Sequence, residues 1–145
     1  MKINLDIDGK YDDTEVIIRA PHLNNDIERI VAMMRMIDMQ IAVRRDNETY
    51  LLETDKILYV EAVDRKTFVY TNTDTYESEL KLYELEQILP AKNFFRANKA
   101  VIVNLNKIKS ISPAFNGRFE AVLKNEYKVI ISRSYVPKLK EHLGL

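Results

Sequence analysis

The chain contains no cysteine and little glycine, and these shortages exclude several kinds of site. Without cysteine, its 145 residues have no disulfide bonds, thiolate nucleophiles or cysteine metal sites, a usage that suits a reducing compartment. The three glycines, Gly9, Gly117 and Gly144, are too scattered to form a glycine-rich phosphate loop. The two histidines, His22 and His142, lie far apart with no triad order around them.

Long apolar runs and ordered acidic motifs are also missing. No run approaches the roughly 20 apolar residues that a helix needs to cross a bilayer. Residues 1–6 lack the apolar segment of a signal peptide, so we expect a cytoplasmic protein. Acidic pairs such as Asp12-Asp13 and Glu84/Glu86 do not have the spacing of a calcium loop or a zinc helix. We therefore expect no enzyme activity, catalytic residue, metal, cofactor or small-molecule substrate.

The charge is balanced overall but unevenly distributed. Apolar residues make up 46% and charged residues 30% of the chain, a composition typical of a soluble globular protein. Residues 1–43 carry a net charge of −3, residues 44–90 a charge of −5, and residues 91–145 a charge of +8. A basic block of this kind is typical of a surface that binds nucleic acid. It is equally consistent with a solvated surface balanced by acidic residues folded against it.

The first 43 residues are predicted to form a small β-β-α unit. Alternating apolar residues indicate a strand over residues 2–7, and an apolar run indicates a second strand over 15–19, before Pro21. Helical spacing of apolar residues predicts a helix over 26–38, with Asn25 and Glu28 as its capping pair. The domain boundary is expected near residues 39–46.

Strands dominate the remainder of the chain, which indicates an α+β, mostly β, fold. The predicted strands cover residues 40–44, 49–53, 57–62, 67–71, 75–78, 101–103, 108–111, 119–123 and 128–132. Short helices are predicted over 80–89, ending at Pro90, and over 136–143, opened by Pro137.

Three basic segments lie where predicted strands end. Arg and Lys side chains reach guanine acceptors in the major groove, and Asn pairs with adenine. Ser, Thr and Tyr hydroxyls bind phosphates and set the register on the duplex. Taken singly, each segment is no better explained by DNA binding than by a solvated turn. The segments are Arg65-Lys66-Thr67, Asn98-Lys99 and Ser132-Arg133-Ser134-Tyr135.

Together with the strands around them, these segments resemble the LytTR DNA-binding domain over residues 42–145. The resemblance rests on the run 57–62, on Asp64-Arg65-Lys66-Thr67, on the segment 95–104 and on the end 131–135, in that order. It implies antiparallel β sheets with short helices that place loops, rather than a recognition helix, in successive major grooves. It also implies a bacterial transcription regulator that binds double-stranded DNA.

The resemblance assigns roles to individual residues. It implies that Arg96 and Asn104 hold the central loop in shape. Lys99 occupies the family's central base-contacting position, and it lacks the bidentate fork of an arginine, so we expect a base preference different from that of other members. Lys107 is expected on the same face. The full set of expected DNA contacts is Arg65, Lys66, Thr67, Asn98, Lys99, Lys107, Ser132, Arg133, Tyr135 and Lys138.

The resemblance also bears on partners. No phosphoacceptor receiver is expected before the domain, so the chain is most similar to stand-alone regulators. Such a regulator is expected to bind tandem short elements as a homodimer, with residues 1–43 as a dimer or partner surface and 44–145 as the DNA-binding domain. Some stand-alone members are paired with a small membrane inhibitor protein. The alternative is a protein-interaction or anti-regulator module with the same fold, which would scatter the basic residues instead of aligning them on one face.

Overall fold

The amino-terminal segment forms a helix but not the two predicted strands. The computed structural model describes residues 1–37 and 39–145, and α1 comprises Asn25–Ile37. The helix is thus confirmed over the described residues, while residue 38 lies outside them. Its cap is Asn24, not Asn25, because the Asn24 Oδ1 accepts a hydrogen bond of 3.0 Å from the Ile27 amide.

Residues 1–24 contain no strand, so the predictions for residues 2–7 and 15–19 are wrong. The alternating apolar side chains are present but exposed, with Leu5 at 81% and Ile7 at 88% exposure. A strand needs neighbouring strands and a covered apolar face to be stable. Nothing in the described structure supplies that cover for this segment.

Ten strands follow in the described residues, arranged in two antiparallel sheets. The larger sheet has the order β2-β1-β5-β4-β3-β7-β6 and the smaller has the order β10-β9-β8. The strands are β1 Gln40–Arg45, β2 Glu48–Glu53, β3 Tyr59–Val63, β4 Lys66–Tyr70, β5 Thr75–Ser78, β6 Phe94–Asn98, β7 Val101–Asn104, β8 Ile108–Pro113, β9 Phe119–Leu123 and β10 Lys128–Ile131. The mostly β, antiparallel architecture is therefore confirmed.

Two further helices accompany the sheets, α2 at Leu82–Ile88 and α3 at Val136–Leu143. They confirm the short helices predicted over 80–89 and 136–143. Within the described ranges, no helix combines the length and the apolar character required to cross a membrane.

The larger sheet is buried on both faces at its centre. Val60 and Ile102 pack on one face in a cluster that includes Leu85 of α2. Their chain neighbours Tyr59 and Val103 belong to a second cluster on the other face, formed with the smaller sheet and α3. Because successive side chains of a strand point to opposite faces, β3 and β7 contribute to both cores. These two strands form a rigid base for the turns at their ends.

Strand β6 is not among the strands predicted from the sequence, whereas β7 corresponds to the strand predicted over 101–103. The segment 93–104 contains both. Phe95 pairs with Val103 and Arg96 with Ile102, so most of that segment is a β6–β7 hairpin. The register shifts between Arg96 and Asn98, which indicates a bulge. Only Lys99 and Ala100 form the connecting turn.

Candidate nucleic-acid interface

Hydrogen bonds and one close packing contact bring four connections together at one edge of the molecule. The Ala62 amide donates to the Ala100 oxygen over 2.8 Å, which joins the β3–β4 turn to the β6–β7 turn. The Ser132 amide donates to the Ala97 oxygen over 2.9 Å, which joins the end of β10 to β6. We name this region the loop edge, defined as residues 63–66, 98–101, 114–118 and 132–135.

The fourth connection, between β8 and β9, reaches the loop edge through Arg133. Phe119 of β9 pairs with Ile131 of β10, so the β8–β9 loop begins beside the end of β10. A Cβ atom added to Gly117 would lie only 3.0 Å from the Arg133 Cδ and 3.1 Å from its Cγ. The stem of Arg133 therefore packs directly on the loop backbone, and the four connections form a continuous row.

The β3–β4 turn presents two of the expected contacts and hides the third. Asp64 and Arg65 both have positive φ, at 51° and 67°, which is the backbone of a two-residue type I′ hairpin. Arg65 and Lys66 are exposed at its tip. Thr67 is only 4% exposed, so its side chain is not available to DNA and that prediction is wrong. Successive side chains of β4 point to opposite faces, so the exposed Lys66 is followed by a Thr67 side chain that points into the core.

The central turn is held by Arg96, as predicted. The Arg96 Nε donates to the Asn98 oxygen over 2.7 Å and its Nη2 donates to the Lys99 oxygen over 2.6 Å. The guanidinium also pairs with Glu86 of α2. Lys99 is exposed at the tip of this braced turn.

Asn98 lies beside Lys99, but its side chain is engaged within the protein. Its Nδ2 donates to the Ile130 oxygen over 2.8 Å, and its Oδ1 accepts from the Ala100 amide over 2.8 Å. The half-buried amide thus bridges the central turn and β10. This geometry favours a role in positioning Lys99 over direct contact with a base.

The segment after β10 combines one exposed arginine with anchoring residues. Arg133 is exposed in the 3-10 turn Arg133–Tyr135. The Ser132 hydroxyl donates to the Ala97 oxygen over 3.4 Å, and the Tyr135 ring packs edge-on against Phe95, with centroids 6.4 Å apart. Lys138 is exposed on the first turn of α3. The two half-buried hydroxyl residues support the turn, while the two cations face solvent.

Two residues expected at this site lie at the opposite edge. We name that region the far edge, defined as residues 54–58, 71–74, 104–107 and 124–127. Lys107 accepts a backbone hydrogen bond there from the Lys124 amide and lines a cleft of about 90 Å³ with Asp55. Asn104 is buried, donates to the Ile57 oxygen over 2.9 Å and accepts from the Asn106 amide over 3.0 Å. Lys107 therefore lies at the opposite edge from the other expected DNA contacts. Asn104 holds the turn after β7 and not the central loop, so the prediction for its role is wrong.

The far edge also contains a stack of three tyrosine rings. Tyr59 lies between Tyr70 and Tyr127, with both centroid distances at 4.4 Å. Burial, and secondarily a hydrogen bond with Tyr127, raises the pKa of Tyr59 far above its ordinary value. Burial also raises the pKa of Tyr70. Both phenols therefore stay neutral and serve packing.

The exposed cations of the loop edge have no acidic side chain paired with them in the part of the chain that the structure describes. Several basic residues elsewhere pair with acids, as Arg44 does with Glu79 and Lys109 with Glu126. Within residues 1–37 and 39–145, the loop-edge cations form no ion pair, although Asp64 shares their edge. These unpaired cations are Arg65, Lys66, Lys99, Arg118 and Arg133, followed by Lys138 on α3. The same described ranges contain no group of three or more His, Cys, Asp or Glu side chains that could hold a metal.

A family model described as the LytTr DNA-binding domain matches residues 47–144. The chain belongs to this family. A solved LytTr DNA-binding domain from Bacillus cereus superimposes with a TM-score of 0.70 at 30% identity, covering 73% of this chain and 97% of that one. The family membership makes residues 47–144 a DNA-binding domain of the kind found in bacterial transcription regulators.

Curated relatives match the LytTr region alone or the whole chain. The sensory transduction protein LytT of Enterococcus faecalis is 34% identical over 105 residues, which are 72% of this chain and 43% of LytT. An uncharacterized HTH-type transcriptional regulator of Staphylococcus aureus is 27% identical over 147 residues, covering 100% of this chain and 99% of that protein. The second match extends through residues 1–43.

Proposed function

We propose that this protein binds double-stranded DNA sequence-specifically through the loop edge and thereby regulates transcription in bacteria. The observation that carries the proposal is the row of unpaired cations from four separate connections on one edge. The described ranges contain three α-helices, and strands separate them along the chain, so they form no helix-turn-helix pair. Turns are thus the natural elements to enter the groove. Since its ligand is chromosomal DNA, the protein would act in the cytoplasm.

The geometry divides the loop-edge residues into two roles. Arg133 and Lys99 are exposed at turn tips and would contact base edges, where arginine binds the O6 and N7 of guanine with two hydrogen bonds. Arg65, Lys66 and Lys138 would bind phosphates. Residues engaged inside the protein would position these cations, namely Arg96, Asn98, Ser132 and Tyr135.

A protein-interaction or anti-regulator module remains the competing function. The two functions differ in what the row of free cations would bind. Counterion release makes DNA affinity fall linearly with salt on a double-logarithmic scale, with a slope of about 0.9 per phosphate contacted. A flat salt response of duplex binding would contradict the DNA proposal.

Residues 1–43 would form a dimer or partner surface. The support is the exposed apolar character of this segment, including Leu5, Ile7 and Met33, and the full-length match to the staphylococcal regulator. A homodimer would bind tandem short elements, and a small membrane inhibitor protein is the second candidate occupant. Sedimentation of the whole chain should show a dimer that the double change Leu5→Glu and Ile7→Glu disrupts. Monomeric wild-type protein on tandem-site DNA would contradict the homodimer.

The decisive experiment is the selection of bound sequences from a random duplex pool. Wild-type protein should enrich a defined motif, and Arg133→Ala should lose preference at one position at a cost of about 1–3 kcal/mol for the selected site. Lys99→Ala should relax a different position. Lys107→Ala is the matched control, since it removes the same charge from the far edge and should leave the motif unchanged. Equal, full-strength binding of Arg133→Ala to selected and scrambled duplexes would refute the assigned role.

A further inference from the structure

Residues 15–19 carry an acid at one end, a base at the other and apolar residues between them. Glu15 is followed by three β-branched residues and then by Arg19. All five are exposed, although β-branched residues favour paired strands. Within residues 1–37 and 39–145, their backbone groups make no hydrogen bond to another residue, and neither charged side chain forms an ion pair. The segment thus presents unused backbone groups together with unpaired charges.

The pattern is self-complementary when two copies of the segment run antiparallel. If Ile17 lies opposite Ile17 of the second copy, Glu15 lies opposite the second copy's Arg19, and the reverse pair forms on the other side. Opposite charges and β-branched side chains that lie directly across an antiparallel pair both stabilise it. A two-fold axis generates reciprocal contacts of this kind. A second copy therefore fits this segment in charge and in shape.

We propose that residues 15–19 of two copies pair as antiparallel strands across a two-fold axis at Ile17. This inference rests on the proposed dimer surface in residues 1–43 and names the contact that would form it. The strand would exist only in the dimer, because a single copy gives it no neighbouring strand and no covered face. Pairing between copies thus accounts for a strand-type pattern that forms no strand within one copy.

Residues 2–7 are placed to widen the paired strands. The Tyr11 amide donates to the Asp8 oxygen over 3.2 Å, which closes a turn between the two segments. A two-stranded ribbon is only marginally stable in water, whereas three or more strands with an apolar face are stable. Residues 2–7 of both copies would complete a four-stranded sheet around the central pair. The helix α1, which follows in each copy, would cover part of its apolar face.

The apolar area available in this region is sufficient for a stable dimer. Complete burial of one aliphatic side chain removes roughly 60–120 Å² from water. Eight such side chains are about two thirds exposed on average, so they offer roughly 300–600 Å² per copy. A standard interface buries about 800 Å² per partner, a little over half of it apolar. The eight are Ile3, Leu5, Ile7, Val16, Ile17, Ile18, Met33 and Met34.

Exchange of the two charges tests the pairing and leaves its apolar residues in place. Glu15→Arg places arginine opposite arginine, and Arg19→Glu places acid opposite acid, so each variant should associate with itself about tenfold more weakly or worse. A mixture of the two variants should associate at nearly wild-type strength, because each then meets the opposite charge. Sedimentation of the whole chain with one variant fluorescently labelled measures this. Lys10→Glu is the matched control, since it makes the same charge change in the turn.

A disulfide experiment tests the register. The chain contains no cysteine, so Ile17→Cys introduces a single thiol. Opposite residues of an antiparallel pair have Cα atoms about 4.5–5.5 Å apart, which suits a disulfide. Mild oxidation should therefore convert the Ile17→Cys variant into covalent dimers. Thr14→Cys is the matched control, because in this register the two Thr14 positions are six residues apart along the strands, about 20 Å.

The outcomes distinguish this inference from the function on which it rests. DNA binding by the loop edge is tested separately by duplex selection with the wild-type chain. A wild-type chain that stays monomeric on tandem-site DNA would overturn the homodimer and the strand pairing together. If the wild-type chain is dimeric, but the mixed charge variants do not associate and Ile17→Cys gives no more covalent dimer than Thr14→Cys, only the strand pairing is overturned. Association of the mixture without a disulfide at position 17 would overturn the register.

Discussion

Asn98 and Asn104 lie six residues apart, and each uses both polar ends of its side chain, yet they serve opposite edges of the molecule. Asn98 is half-buried at the loop edge and bridges the central turn to β10. Asn104 is buried at the far edge and joins Ile57, in the segment before β3, to the turn after β7. Both asparagines use their amide groups to join two segments. Asn98 holds the turn that exposes Lys99, whereas Asn104 holds two segments together at the edge of the core.

The loop edge and the far edge also differ in the kinds of side chain that they carry. The loop edge ends in exposed Arg65, Lys99 and Arg133, which have no acidic partner among the described residues. The far edge is closed by the stack around Tyr59 and by ion-paired Lys109. The loop edge thus presents exposed cations at turn tips, whereas the far edge holds packed aromatic rings and an ion pair. Substitutions at the two edges should therefore affect different measurements.

The largest expected effect follows removal of two cations from the loop edge. Lys99→Ala combined with Arg133→Ala should weaken binding to the selected duplex by about 100-fold or more, because each base contact contributes about 1–3 kcal/mol. Fluorescence anisotropy with labelled duplex measures the loss. Lys107→Ala with Lys124→Ala removes equal charge from the far edge and should change affinity only slightly. Equal losses in both variants would show that net charge alone determines binding.

The paired asparagines give the next largest effect, on stability. Asn104→Ala leaves the Ile57 carbonyl and the Asn106 amide without partners and should lower the free energy of unfolding by about 1–3 kcal/mol. Urea titration measures this loss, and the folded protein should keep its DNA affinity. Asn98→Ala should do the reverse, with a smaller loss of stability and weaker DNA binding, because water reaches its half-buried partners. If both variants behave alike, the division between edges is wrong.

The tyrosine stack predicts a loss of stability at high pH. Burial raises the folded-state pKa of Tyr59, so the unfolded chain releases its proton first, near the ordinary value of about 10. The stabilisation is complete below that pH and falls by about 1.4 kcal/mol per pH unit above it. Urea titrations between pH 8 and 11 measure the slope, which Tyr59→Phe should reduce. An equal slope in the variant would contradict the assignment.

The smallest expected effect is at Gly117, which can be compared with Gly144. Both have left-handed φ, at 75° and 71°, but a Cβ at Gly117 would press on Arg133 while one at Gly144 would meet nothing within 4 Å. Each change to Ala should cost about 1 kcal/mol of stability through backbone strain. Only Gly117→Ala should also reduce base discrimination at the Arg133 position, measured with single-base variants of the selected duplex. Unchanged discrimination would show that the contact does not orient Arg133.

Local patterns in the sequence predicted most elements because they depend on neighbouring residues. Alternating apolar residues predicted the strands from 40 onward, and apolar spacing predicted the first two helices. Pro137 as an opening residue predicted the helix over 136–143 with the bounds that the structure has. Strand β6 is not predicted because Arg96 and Asn98 interrupt its apolar pattern. The structure has a bulge between these two residues, and Arg96 donates hydrogen bonds to the turn that follows. Residues 2–7 have the alternating pattern but form no strand. Alternation shows which side chains would share one face of a strand, but it does not supply the neighbouring strand or the apolar surface that would cover that face.

The sequence by itself determined the absence of cysteine, the basic final third and the turns that carry Arg65, Lys99 and Arg133. These follow from composition, side-chain period and turn chemistry, which are local properties. Only the tertiary structure decided that Lys107 lies at the far edge, that Thr67 is buried and that Arg133 packs on Gly117. Those facts depend on strand order and register, which bring residues far apart in the chain to one edge and separate residues that are close in it.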